Sequence, residues 1–200
     1  MPRPIPLECG ETYHVFNRGN NREDIFLEET NYRHFLNLYA HHVDPIADTF
    51  AYCLLRNHFH ILLRIKGEED LTGLGDLSGL ARASQRFSNL FNAYAKAVNK
   101  AYQRTGALFQ RPFGRVLVTS EAQFQWLVVY IHRNPERHGL VDHFERWPYS
   151  SYHGLKSHGP TRLNREEVVT RLGGPGEFER FHRAQIDEAR LGPVIGSDFD

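Results

Sequence analysis

At 200 residues with 40% apolar side chains, the chain can bury one sizeable core, which excludes a disordered tail or a short peptide. Twenty-four Lys plus Arg balance twenty-four Asp plus Glu, so the whole chain lacks the basic excess of a generic polyanion binder. Two cysteines cannot build a disulfide framework, MPRPIPLECGET lacks a signal-peptide layout, and no apolar run approaches the roughly 18 residues of a membrane span; the expectation is a cytoplasmic protein with reduced thiols and no membrane partner.

In chain order, residues 13–18 (YHVFNR) alternate as a strand does and run into the turn signal Arg18-Gly19-Asn20-Asn21. Tyr32, Phe35, Leu36 and Tyr39 recur at helical spacing within 28–43, with Thr30 or Asn31 as candidate caps. Residues 49–55 and 58–65 are β-rich runs around Arg56-Asn57, a hairpin pattern, and the glycine-rich and acidic stretch 66–79 reads as a loop. A long helical pattern covers 80–102, Thr105-Gly106 stops it, and 113–118 returns to a strand. Ser120 caps a further helix, with Glu121 in its first turn, that ends near Pro135. The order βαββαβ plus one helix predicts an α+β fold, a ferredoxin-like split unit with one antiparallel sheet, over residues 1–152. Residues 153–200 read as a C-terminal extension of helix and loop, with 147–152 as its anchor and helices over 165–172 and 177–189. The last ten residues read as a fraying end.

Resolved by segment, the charge is uneven. Residues 1–76 carry 7 basic and 12 acidic side chains, 77–120 carry 7 and none, and 121–200 carry 10 and 12. The middle stretch holds Arg82, Arg86, Lys96, Lys100, Arg104, Arg111 and Arg115 among Phe87, Phe91, Tyr94, Tyr102, Phe109 and Phe113. Cations interleaved with rings suit a phosphate backbone and unstacked bases, although a solvated basic helix face over an aromatic core gives the same pattern.

On a strand, His58 and His60 project from one face and Phe59, Ile61, Leu63 and Ile65 from the other. Two such imidazoles can share a divalent ion given a third ligand, or can simply face solvent. Tyr130 and Asn134 lie one turn apart on the last helix, with Gln123 and Leu127 continuing that face. A tyrosine hydroxyl can act as a nucleophile and an amide oxygen as a ligand; equally, the pair could be a core-rim tyrosine and a helix-ending asparagine.

Four ordered blocks within roughly residues 10–152, YHVFNRGNNREDIF (13–26), NHFHILL (57–63), GALFQRPFGRVLV (106–118) and YIHRNPERHGLV (130–141), resemble the single-tyrosine HUH transposases. The similarity is greatest to the branch associated with repetitive extragenic palindromes (REP). HUH names histidine, hydrophobic residue, histidine, matched by His58, Phe59 and His60. The resemblance implies cleavage and rejoining of single-stranded, hairpin-bearing DNA, in which the tyrosine becomes linked to a 5′-phosphate and a 3′-hydroxyl is freed, assisted by Mg²⁺ or Mn²⁺. It makes Tyr130 the nucleophile and His58, His60 and Asn134 the metal ligands; many insertion-sequence relatives carry glutamine where Asn134 stands.

The turn residues Asn17, Arg18, Asn20 and Arg22, with Arg111 and Arg115, are the first candidates for DNA contacts. Relatives occur both as homodimers and as monomers. Two other readings are an inactive hairpin-binding regulator and a metal-dependent phosphodiesterase using water. Tyr94 and Tyr102 are competing nucleophiles better suited to packing or stacking. His132 reads as exposed helix surface with a minor claim on proton transfer, and His14 as a surface or core residue.

Overall fold

The computed structural model describes residues 5–71 and 79–184. Four strands, β1 (Thr12–Arg18), β2 (Ala47–Leu54), β3 (His58–Ile65) and β4 (Gly114–Leu117), form one antiparallel sheet in the order β2-β3-β1-β4. That is the ferredoxin-like order, as the element pattern predicts. The helices α1 (Glu29–His42) and α2 (Gly79–Ala101) cover one face, and α3 (Glu121–Arg137) covers the other.

Strand alternation divides the side chains between two cores. Tyr13, Val15, Phe59, Ile61 and Leu63 pack with Phe35 and Tyr39 of α1 and with Phe87, Leu90, Phe91, Tyr94 and Val98 of α2. Ala51, Cys53 and Leu62 face the other way, onto Phe124, Leu127, Val128 and Ile131 of α3. A bulge between Thr49 and Ala51 lets Phe50 join that second core beside Phe124, with ring centroids 5.1 Å apart. Each fully buried side chain of this kind contributes roughly 1.5–3 kcal/mol.

The ends of the helices differ in detail from the sequence expectation. α1 is capped by Glu28, neither by Thr30 nor by Asn31, because Asn31 occupies the third helical position, where its Oδ1 accepts from the backbone N–H of Leu27 and Glu28. Ser120 caps α3 as predicted, its Oγ accepting from Gln123 N at 3.2 Å. The helix runs past Pro135 to Arg137, since the proline stands so near the end that its missing N–H interrupts little. Gly139, at φ 65°, then lets Leu140 N return to the carbonyl of Pro135. Of the expected loop at 66–79, the described part contains a short 3-10 turn at Glu69–Leu71, and 72–78 lie outside the described residues.

Residues 147–152 tie the extension to the sheet. Trp147 Nε1 donates to Leu54 O at 2.9 Å, and Tyr149 stacks on Tyr32 at 3.6 Å. Three helices follow, α4 (Tyr152–Lys156), which the sequence pattern had not suggested, α5 (Arg165–Arg171) and α6 (Pro175–Arg183). Tyr152, Leu155, Val168, Leu172 and Phe178 complete the second core over α3. α6 starts at Pro175 and ends at Arg183, while the rest of the helix expected over 177–189, and the last ten residues, lie outside the described residues beyond Ala184. Among the described residues no helix is long and apolar enough to cross a membrane.

Candidate active site and nucleic-acid interface

β3 opens directly from the hairpin turn, so His58 and His60 stand at the end of the sheet on the α3 face, 2% and 0% exposed. The ring of Tyr130 lies edge-on to that of His60, centroids 5.6 Å apart, and the ring of His138 lies 4.9 Å from His58. Asn134 falls between Tyr130 and His138 along the helix, one turn from each, and is fully buried. The sheet and α3 therefore bring His58, His60, Tyr130 and Asn134 into one cluster.

Hydrogen bonds fix how these groups present themselves. Asn134 Nδ2 donates to the carbonyl of Tyr130 at 2.9 Å, which orients the amide, and its Oδ1 is buried with no hydrogen-bond partner. His58 Nδ1 meets Asn57 Oδ1 at 2.6 Å, and His60 Nδ1 meets His14 Nε2 at 2.9 Å. With each Nδ1 engaged, Nε2 is the ring atom suited to a ligand. Burial and the nearby His138 and Arg18 push His58 down to about 3, and burial with His14, His58, His138 and Arg18 holds His60 well below its ordinary range. Neutral imidazoles are the form that coordinates a cation. Two imidazole nitrogens and one amide oxygen make a donor set that fits a divalent ion with positions open for substrate oxygens. Among the described residues no three His, Cys, Asp or Glu side chains form such a set. Arg137 places its guanidinium 5.2 Å from the centre of the Tyr130 ring.

Several other expectations are redistributed. Gln123 reaches back past the Ser120 cap, its Oε1 accepting from Thr119 N at 2.8 Å, and takes no part in the cluster; Leu127 is core. His132 is not exposed surface: it is fully buried on another side of α3, bonded to His182 Nε2 and Ser151 Oγ, both at 2.7 Å. Tyr94 donates to Ile25 O and Tyr102 bonds Asn31, both on the α1–α2 face and away from the histidines. Arg18 is buried on the histidine face, whereas Asn17, one residue earlier, faces the opposite side.

There Asn17 lines a groove of about 630 Å³ between α2 and residues 106–115. Lys96, Arg111 and Arg115 reach it, together with Ser84, Ser88, Asn92 and Asn99. Arg115 lies over the Phe113 ring at 4.3 Å, a cation beside an aromatic platform. Asn20 Nδ2 pins the wall of this groove through Ala107 O at 2.8 Å, and Arg22 is exposed at the turn, with φ 61°. The remaining basic residues do not join them: Arg104 pairs with Glu23, Arg86 stands toward His42, and Lys100 is exposed farther along α2. The side chain of Arg82 lies outside the described residues.

The sequence reading missed His14, Asn57, His138 and Arg137 as neighbours of the cluster. His14 alternates in phase with Arg18 on β1, and His138 follows Asn134 by one turn, so periodicity carried a signal for both; the partner strands supplied the rest.

The antiparallel ferredoxin-like sheet, with His58 and His60 on the face that carries α3, is compatible with the resemblance to single-tyrosine transposases. Comparison with known proteins agrees: the chain is 29% identical over 108 residues to a protein of Haemophilus influenzae named as a REP-associated tyrosine transposase, a match covering 53% of this chain and 59% of that one. Its fold matches a solved REP-associated tyrosine transposase bound to a REP hairpin, with TM-score 0.58 and 20% identity over 77% of this chain and 83% of that one. No model of a known protein family matches. The chain is thus similar to REP-associated tyrosine transposases in sequence and shares their fold.

Proposed function

We propose that the protein is a divalent-metal-dependent DNA strand transferase that cuts and rejoins single-stranded, hairpin-bearing DNA through a covalent link between Tyr130 and a 5′-phosphate. The observation that carries this reading is the buried cluster in which Tyr130 and Asn134 of α3 face His58 and His60 of β3. The relative solved with a REP hairpin supports hairpin DNA as the substrate class.

His58, His60 and Asn134 would hold Mg²⁺ or Mn²⁺. When bound, the cation neutralises non-bridging phosphate oxygens and steadies the in-line geometry that repulsion otherwise opposes. Tyr130 Oη attacks the phosphorus, the new P–O bond forms as the P–O3′ bond breaks, and the phenolic proton is matched by the one the leaving 3′-oxygen takes up. Arg137 sets a positive charge against the ring that must become negative as its proton leaves. The phosphotyrosine conserves the bond, so another 3′-hydroxyl can reverse the step with no nucleotide triphosphate. Asn17, Lys96, Arg111 and Arg115 would track the unpaired strand along their groove, phosphates to the cations and bases to the ring.

Incubation of labelled hairpin-bearing single-stranded DNA with the protein and Mn²⁺ is expected to give a denaturation-resistant adduct, absent in Tyr130→Phe. Cleavage without an adduct would make the protein a phosphodiesterase using water. Hairpin binding with neither would make it a regulator.

A further inference from the structure

His14 is fully buried on the catalytic face of β1, next to Phe16 and across from Leu62 and Val116. Its neighbours in the sheet are apolar, and a leucine would fill the position without burying a polar ring. Instead its Nε2 lies 2.9 Å from His60 Nδ1, with the two rings stacked at 20°. A hydrogen bond between two neutral imidazole nitrogens uses one proton, so the tautomers of the two rings are coupled. When His60 offers the Nε2 lone pair to a cation, its proton is on Nδ1, and His14 Nε2 must then be the acceptor. The opposite arrangement places the proton on His60 Nε2 and removes that atom as a ligand.

We propose that His14 is the positioning residue of the metal centre: by accepting from His60 Nδ1–H it fixes the tautomer and the ring plane that present Nε2 to the cation. The inference rests on the metal reading above. Asn57 Oδ1 serves His58 in the same way at 2.6 Å. Metal-binding histidines are commonly oriented by a carboxylate or a carbonyl. An imidazole makes chemical sense here, because His14 also stands edge-on to Tyr130 at 6.4 Å. A carboxylate at that place would set a negative charge beside a phenol that must lose its proton and a phosphodiester that must approach. A neutral acceptor orients the ligand without that repulsion.

Two measurements test this. In the metal-free ¹⁵N-labelled wild-type protein, two-bond proton–nitrogen correlations are expected to show His60 protonated at Nδ1 and His14 unprotonated at Nε2; the reverse pattern overturns the proposal whatever the metal does. Direct Mn²⁺ titration by calorimetry or electron paramagnetic resonance is expected to show roughly 10–100-fold weaker binding for His14→Leu. His14→Gln, whose amide oxygen can reach the place of Nε2, should stay close to wild type. Equal affinity of His14→Leu and wild type, or a folded His14→Gln as weak as His14→Leu, overturns the role of His14. Wild-type protein that binds no Mn²⁺ while showing the expected tautomers overturns the metal reading instead.

Discussion

Asn134 illustrates how a single side chain can serve its helix and a site together. Its Nδ2 is spent on the carbonyl of Tyr130, so the amide cannot turn over without losing a buried bond, and Oδ1 is left buried without a hydrogen-bond partner. Asn134→Leu keeps the branched shape, in a larger side chain, and removes that oxygen; the expected result is loss of the Mn²⁺-dependent adduct, with hairpin affinity in a chelator unchanged by gel-shift titration. Gly114 makes a different demand. A Cβ there would stand 2.0 Å from the Phe16 ring, which itself lies 4.9 Å from His14 and 6.2 Å from His60. Gly114→Ala is therefore expected to lower stability by about 1–3 kcal/mol, read as a lower denaturation midpoint, because the ring must give way in a packed position beside His14 and His60.

Among the elements, α2 and the 106–115 segment turn a run of basic residues into a groove, but only part of that run takes part. Lys96, Arg111 and Arg115 line it, while Arg104 is drawn off by Glu23. Lys96→Ala and Arg111→Ala should weaken single-stranded DNA binding about equally for all sequences. Each should also flatten the dependence of log K on log salt by roughly 0.7 per lost phosphate contact, as measured by fluorescence anisotropy across a salt series, with Lys100→Ala as the control that leaves it unchanged. Most of this architecture was legible beforehand. The hairpin at Arg56-Asn57, the alternation of His58 and His60 and the Ser120 cap are local signals, set by neighbours in the chain, and each appears where the pattern put it. What the sequence could not carry was pairing at a distance. The salt bridge from Arg104 to Glu23, the contact of His14 with His60 and the burial of His132 depend on which strand or helix arrives from 46 to 81 residues away. The α1 cap was misread for a nearer reason: Asn31 reaches back toward Glu28 from inside the helix, which leaves the cap position to a residue with weaker intrinsic preference.

Across the whole molecule, a buried chain of hydrogen bonds joins the extension to α3: Ser151 Oγ, His132 and His182 are linked at 2.7 Å each, and His182 Nδ1 donates to Phe178 O. Burial, opposed by the Phe178 carbonyl, pushes His182 down to about 4. The unfolded chain takes up this proton near pH 6.5, whereas the folded protein resists it until about 4, so the stability involved is whole above 6.5 and lost as the pH falls between those values, by at most about 1.4 kcal/mol per unit. Thermal midpoints should therefore decline from pH 7 to pH 4.5, and more shallowly in His182→Gln. β1 links the two working surfaces. Its odd-numbered residue Asn17 looks into the groove and its even-numbered neighbours His14, Phe16 and Arg18 look toward Tyr130, so the strand is a party wall between two rooms. A one-residue insertion in it would turn the side chains that follow to the opposite face and exchange the occupants, so that, on the function proposed above, strand recognition and chemistry would be lost in a single event. The two surfaces are thereby locked to one register, and neither can drift along the strand without the other.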